Sequence, residues 1–480
     1  LALALLGAGC AVGPKYQRPA APVAPSWEVT APWREGAPRD AAPKGEWWLV
    51  FHDDGLDRFE AEALAANQTL EVAVARMAQA RAGASTEVAG LFPTLGTTPS
   101  VERQRLSANR PPNGPTPVAG SYTQSVYNLP FTVSYEADLF GQKRRSLEAA
   151  NATYQASAAD LENVRLSVTA EVARNYFTLR QLDAEIETYK RGVEAFEKGL
   201  ELVNGRHRGG IASGLDVAQE ETLLYATRTQ AQLLLQQRKE TEDALAVLLG
   251  KAAPGFSVPA SGLIAEPPAL QLGLPSDLLE RRPDVAEAER QVAAANARIG
   301  VAKGAYYPSL SLFGTGGWQA ASLGKLVNAA STLWAVGASV AETLFSGGAR
   351  RAGVELAVAG HRASVATYRQ TVLSALAEVQ DAVTGLQVLD GARATQAQAV
   401  RASRRALDIA NSRYVGGLVS YLDVVNAQES LLNNEREMAT IEGQRLVTSV
   451  LLVKALGGGW DAASLATVKV KARPADLVSP

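Results

Sequence analysis

The sequence predicts a mixed α and β membrane protein, internally duplicated, in which very long helical hairpins alternate with a few amphipathic strands. Three observations carry this: blocks that recur at a fixed offset, apolar residues spaced by three and four over unusually long runs, and short segments of strict apolar–polar alternation between them.

The duplication is read from position alone. Adding 207 to Arg206, Gly209, Gly210, Ser213, Leu215, Asp216 and Val217 gives Arg413, Gly416, Gly417, Ser420, Leu422, Asp423 and Val424. Upstream the offset is 215, from Phe92-Pro93-Thr94-Leu95 to Tyr307-Pro308-Ser309-Leu310. The first copy therefore carries about eight extra residues, which fit the polar, Pro-rich stretch 106–120.

The helices come next. Leu179, Leu182, Ile186, Tyr189, Val193, Phe196, Leu200 and Val203 alternate by three and four, as a coiled-coil seam requires. The second copy continues the frame through Val354, Val358, His361, Val365, Tyr368, Val372, Ala375, Val379, Ala382 and Leu386 to Leu407, Ala410 and Tyr414. A helix over 350–414 is about 95 Å long at 1.5 Å per residue, a length that serves reach rather than a globular core. Each long helix ends at a glycine pair, Gly209-Gly210 or Gly416-Gly417, suited to the left-handed turn that stops a helix. Ser213-x-x-Asp216 and Ser420-x-x-Asp423 read as capping boxes that start the returning helix. Shorter helices, roughly 56–91 and 278–305, lead into the strands of each copy, and Pro283 suits a first helical turn.

Between the helices, Tyr127, Leu129, Phe131, Val133 and Tyr135 share one face of 125–139, opposite Asn128, Thr132, Ser134 and Glu136. Tyr127 and Tyr135 are about 26 Å apart along a strand, close to the ~25 Å apolar band of a membrane β-barrel with its aromatic girdles. In the second copy Trp334, Val336, Ala338 and Val340 alternate in the same way. Pro130 interrupts this pattern and suits an edge or a bulge. Two strands per copy give four antiparallel membrane strands per chain. Four cannot close a barrel, and an open sheet in hydrocarbon leaves backbone groups unpaired, so several chains must share one barrel.

Composition removes other classes. Lys plus Arg number 47 against 49 Asp plus Glu, a net charge of -2 that offers no attraction to nucleic acid. Mean hydropathy is -0.05 and no 18-residue apolar run occurs, so a spanning helix is excluded while strands are not. Three His (His52, His207, His361) and two Met (Met77, Met438) compose no metal site. No cofactor, nucleotide motif or nucleophile with a base is found, so no enzyme is expected. His361 lies on the seam and reads as a packing histidine; Arg206, His207 and Arg208 read first as cations at a helix C-terminus. The one cysteine, Cys10, follows an apolar stretch ending Gly7-Ala8-Gly9, which resembles a bacterial lipobox whose thiol is acylated, although Gly7 stands where Leu is usual. The alternative is an ordinary residue in a cleaved segment.

These readings divide the chain into a signal-peptide end (1–10), an extended N-terminal arm (11–55), a helix (56–93), a membrane hairpin (94–140) and a long helical hairpin (141–250). An equatorial linker (251–277) joins the second copy: helix (278–307), membrane hairpin (308–346), long helical hairpin (347–457) and equatorial tail (458–480).

The chain resembles the outer-membrane efflux lipoproteins, the TolC-like exit ducts of tripartite pumps. The resemblance rests on Cys10 with Gly13-Pro14-x-Tyr16-x-Arg18-Pro19, on Trp47-Trp48-x-x-Phe51, on Leu274-Pro275-Ser276-Asp277-Leu278-Leu279-Glu280-Arg281-Arg282-Pro283-Asp284, and on Tyr421-Leu422-Asp423-Val424. It implies a homotrimeric α/β barrel, with twelve strands in outer-membrane lipid and twelve helices across the periplasm. It further implies a periplasmic adaptor and an inner-membrane RND transporter as partners. By the same resemblance Tyr414, Leu422, Asp423 and Asn426 surround a gate at the periplasmic tips, and the glycine pairs with Ser213 and Ser420 form the tips an adaptor touches. Asn426 stands where many relatives have Asp, and Val419 where some have a basic residue, so a second acidic ring is not implied. Asp423 as a simple capping acid, and the whole chain as a lipid-anchored coiled-coil scaffold or adaptor, are the competing readings.

Overall fold

The computed structural model describes residues 12–23, 26–27, 45–109, 120–263, 266–268 and 281–471. Helices α1 (Asp54–Ala66) and α2 (Gln68–Ala89) precede strands β1 (Thr94–Thr97), β2 (Ser100–Leu106) and β3 (Tyr122–Ala137), followed by the hairpin of α3 (Gln142–Arg208) and α4 (Gly214–Leu248). The second copy runs α5 (Pro283–Gly304), β4 (Ser309–Ala320), β5 (Thr332–Ala341), α6 (Ala349–Val415) and α7 (Tyr421–Ala455). The repeat is kept to the residue: α3 and α6 have 67 residues each, α4 and α7 have 35, and α2 and α5 have 22. At 1.5 Å per residue α3 and α6 are each about 100 Å long.

The seam spacing explains the packing. Leu179, Leu182, Tyr189, Phe196 and Val203 are buried, and Ile186, Val193 and Leu200 pack beside them. On α6, Tyr368, Val372, Ala375, Val379, Ala382 and Leu386 are buried, and His361 is half-buried. Two mid-helix glycines of α3 mark where the second copy comes close: a Cβ on Gly192 would touch Leu432, and one on Gly199 would meet Tyr421. Glycine inside a helix costs about 1 kcal/mol relative to Ala, so such positions are kept for close approach.

The helices form layers with the same order as the strands. Near the sheet the order is α2, α3, α5, α6; toward the hairpin tips it is α4, α3, α7, α6. The sheet itself runs β1 and β2 on one edge, then β3, β4 and β5, antiparallel throughout. All joins between helix and strand lie at one end of the sheet, where the rings of Phe140 and Tyr307 stack 4.7 Å apart and bind the two copies together. The Asp138 carboxylate there accepts from the Lys143 and Arg144 amides, satisfying first-turn donors of α3.

Three details depart from the sequence reading. The helix expected over 56–93 is two helices, because Asn67 both closes α1 and caps α2: its side chain accepts from the Leu70 amide and donates to the Leu248 carbonyl. The expected arm over 11–55 stops short: Trp47–Phe51 is a 3-10 helix, buried against Leu166, Thr169 and Phe177 of α3, and α1 begins at Asp54. Pro130 lies at neither an edge nor a bulge but inside the central strand β3; its effect falls on the neighbour, where pairing stops after Thr97↔Phe131 and resumes in the same register at Ser100↔Asn128. Pro99 and Pro130 both lack the donor such a ladder needs, so the first strand is split into β1 and β2. Finally, Leu274 to Glu280, most of the 106–120 insertion and Cys10 lie outside the described residues.

The first described stretch of the arm, 12–23, is held along α3, α5 and α6. The Val12 amide donates to the Phe140 carbonyl, the Arg145 guanidinium donates to the Val12 carbonyl, Asn296 donates to the Pro14 carbonyl, and the Tyr16 hydroxyl donates to Glu289. Arg282, from the motif at the start of α5, is a buried clamp: it pairs with Asp284 and Glu378 and donates to the Ala455 carbonyl at the end of α7. Replacing Asn67 with Ala should lower unfolding free energy by about 1–2 kcal/mol. Urea titration checks this, with the exposed Gln68→Ala variant expected to stay near wild type.

Candidate functional site

Two regions can do something other than hold the chain together: the sheet and the hairpin tips. On the sheet the register sorts side chains by face. Tyr127, Leu129, Phe131, Val133 and Tyr135 align with Leu312, Trp318, Trp334, Val336 and Val340 of β4 and β5, and with Leu95 and Val101 of β1 and β2. This face is apolar and open: Trp334 is 78 % exposed, Val336 76 % and Leu95 72 %. The opposite face is mainly polar, with Thr94, Ser100, Glu102, Asn128, Thr132, Ser134, Glu136, Ser311, Thr315 and Gln319, and has Val126, Phe313 and Leu333 as apolar members. An apolar surface of this extent is unfavourable in water and favourable against hydrocarbon, while the polar face suits a hydrated interior.

Tyr127, Tyr135 and Trp334 thus share the apolar face, with Trp334 level with Phe131 through Gly316. Sequence reasoning missed the aromatic residues at the base of the sheet, Phe140, Tyr306, Tyr307 and Phe345, which flank the strands instead of alternating within them. Tyr306, Tyr307 and Phe345 are exposed. No helix among the described residues is long and apolar enough to cross a membrane.

At the tips, the two glycine pairs behave alike. Gly210 and Gly417 are left-handed (φ 73° and 74°), the Ile211 amide donates to the Arg206 carbonyl, and the Leu418 amide donates to the Arg413 carbonyl. The serines differ. Ser213 and Asp216 form the full reciprocal box, the Asp216 amide donating to Ser213 Oγ and the Ser213 amide to Asp216 Oδ2. Ser420 does not cap: its hydroxyl donates to Asp423 Oδ2 at 2.8 Å, and the Asp423 amide bonds to the Ser420 carbonyl instead. The capping box expected at Ser420-x-x-Asp423 is therefore absent, because the hydroxyl is engaged by the carboxylate that the box would aim at the backbone.

Leu422, Asp423 and Asn426 lie together on one exposed face of α7, continued by Glu429, Ser430 and Asn433. Tyr414 faces the other way. It is buried against Val203, Tyr421, Val424 and Val425, its ring 4.8 Å from Tyr421, with the Arg206 guanidinium 4.8 Å over its face. Burial pushes the Tyr414 hydroxyl above its ordinary pKa, with Arg206 opposing. Arg206 is thus more than a helix-end cation: it ties the first tip to the second. Sequence reasoning did not find this pairing, since it joins residues 208 positions apart; the heptad glycines of α3 were the available signal. His207 Nδ1 bonds the Ala212 carbonyl within its own turn.

A sheet with an apolar outer face and a polar inner face, continued by two 100 Å helical hairpins, defines the class: a membrane conduit wall with a long aqueous extension. The family model described as "Outer membrane efflux protein" matches residues 61–251 and 274–458. The chain is 33% identical over 466 residues to the outer membrane protein OprJ of Pseudomonas aeruginosa, covering 96% of this chain and 95% of that one. It is 32% identical over 475 residues to the toluene efflux pump outer membrane protein TtgF of Pseudomonas putida, covering 96% of each. The solved outer-membrane channel OprN superposes with a TM-score of 0.85 at 29% identity, over 94% of this chain and 100% of that one. The chain belongs to the outer membrane efflux protein family, a family of TolC-like channels and not of enzymes. It is an outer-membrane efflux channel component that extends into the periplasm.

The two tips should respond differently to loss of their serines. Ser213→Ala removes a cap and should destabilise the start of α4 by about 1 kcal/mol, whereas Ser420→Ala should leave the α7 start nearly unchanged. Amide hydrogen exchange across the two tips measures both; equal effects would contradict the asymmetry.

Proposed function

We propose that three copies of this chain close one barrel and form a passive exit duct of a tripartite efflux system. The observation that carries this reading is that each layer of the chain has two open edges. In the sheet, among the described residues, β1 and β2 pair only with β3, and β5 pairs only with β4. Lipid does not tolerate such edges, at several kcal/mol per unpaired group, so other copies must supply the partners. Two copies would make eight strands, a barrel small enough to be filled by its own side chains; three make twelve and leave a lumen. Apolar residues that face outward on the helices, such as Leu356, Ile409, Tyr225 and Leu235, are covered in the same closure.

Within this assembly Tyr127 and Tyr135 serve as girdle residues at the two lipid surfaces, whereas Trp334, expected in a girdle but level with Phe131, lies midway between them and faces the apolar band. Cys10 carries the lipid, two residues before Val12, whose amide is bonded to the Phe140 carbonyl at the base of the sheet. The tips, with Gly209, Gly210, Ser213, Gly416, Gly417 and Ser420, meet a periplasmic adaptor, and an inner-membrane RND transporter supplies the energy that the duct lacks. Leu422, Asp423 and Asn426 of three copies line the closed end, while Tyr414 and Arg206 hold α7 in place behind them. Three Asp423 carboxylates near one axis attract cations and repel each other, and Leu422 beside them narrows the passage.

Asp423→Ala is expected to raise the small-ion conductance of closed channels in planar bilayers severalfold. Unchanged conductance would remove Asp423 from the gate. Cys10→Ala should abolish fatty-acid labelling of the protein and leave the barrel intact; labelling that persists would place the anchor elsewhere.

A further inference from the structure

One buried group at the tip is used by nothing described above. Glu220, on the second turn of α4, is fully buried where α3, α4 and α7 meet. Neither of its carboxylate oxygens completes a hydrogen bond of ordinary geometry, and the same holds for the Tyr421 hydroxyl and the Gln428 side-chain oxygen beside it. A Cβ on Gly199 would run into the Glu220 carboxyl and lie 3.2 Å from the Tyr421 hydroxyl, so α3 is kept bare to admit the group. The titratable and charged groups around it are Tyr421 of α7, then Tyr414 of α6 with Arg206 of α3 over its ring, and Asp216 one turn earlier on α4. Among the described residues no cation faces the carboxyl directly. A carboxylate with no cation and only the Tyr421 and Gln428 groups beside it is costly in such a place; a neutral carboxylic acid, which can itself donate to those oxygens, costs much less.

We propose that Glu220 is a proton-operated latch, whose neutral form seats α7 against the first hairpin and whose charged form releases it. The proposal rests on the reading of these tips as the gate. Burial raises Glu220 from the ordinary 4.5 to about 6, with Tyr421 and Gln428 opposing as groups able to donate to the charged form. The sign follows from linkage. The closed state holds the proton more tightly than a released, hydrated Glu220 does, so the latch is complete below about 4.5 and is lost as pH rises through about 6. At tenfold per unit, the closed-to-open ratio changes by at most about thirtyfold across that window. Tyr421 is the hinge of the device: it contacts both Tyr414 and the Glu220 pocket and is the first residue of α7, next to Leu422 and Asp423. A change at Glu220 therefore reaches the exposed gate face within one helical turn.

Bilayer recordings of the purified channel from pH 4.5 to 8, on wild type, Glu220→Gln, Tyr421→Phe and Asp423→Ala, test this. Wild type should open progressively through about pH 6. Glu220→Gln, neutral at every pH, should hold the low-pH conductance throughout. Tyr421→Phe, lacking the hydroxyl that eases ionisation, should move the midpoint to higher pH. Glu220→Gln tracking the wild-type curve, or a midpoint unmoved in Tyr421→Phe, overturns the latch. Asp423→Ala separates the two readings: a leaky Asp423→Ala channel beside an unaltered Glu220→Gln curve keeps the gate and rejects the latch. A flattened Glu220→Gln curve beside an unaltered Asp423→Ala channel keeps the latch and moves the lining elsewhere.

Discussion

The structure depends on one constraint: backbone groups placed in hydrocarbon must find partners, and a four-stranded sheet leaves two rows without them. The helical layers repeat the constraint in water, where it is expressed as exposed apolar side chains instead of bare amides. α2 and α4 stand at one edge and α6 at the other, as β1 with β2 and β5 do above. A chain built this way is a wall segment. Its internal contacts fix register, and its open edges are what the proposed closure by further copies would satisfy.

Duplication makes such a wall economical to encode, and the two copies are then free to diverge where function needs asymmetry. The divergence is concentrated at the tips. In the first copy Ser213 and Asp216 satisfy each other and the backbone, which leaves nothing over for a ligand or a lumen. In the second, Asp423 is withdrawn from the backbone and presented with Leu422 and Asn426 on the open face of α7. The same residue types at equivalent positions therefore do different work, and the buried side of the tip, with Arg206, Tyr414, Tyr421 and Glu220, joins the two copies.

Much of this was legible in the sequence because it is periodic. The offsets of 207 and 215 reproduce the helix boundaries, the three-and-four spacing names the buried seam from Leu179 to Val203, and the alternation from Tyr127 to Tyr135 names the apolar face. What escaped was aperiodic or long-range. Asn67 splits a helix through a side chain that reaches Leu248, Pro130 acts on the strand beside it, and Trp47 finds its place only once α3 exists to receive it. The candidate gate divided along the same line. Leu422 and Asp423 stood in a motif, while Glu220 and Gly199 carry no local mark and acquire meaning only when α4 and α7 are brought against α3.

Native mass spectrometry of the detergent-solubilised protein tests the central claim most directly. Each chain is 50.6 kDa, and the account predicts a particle of three chains that keeps its mass after detergent is stripped in the gas phase. A monodisperse single chain, soluble without detergent, would contradict it, because both edges of the sheet would then have to be tolerated unpaired.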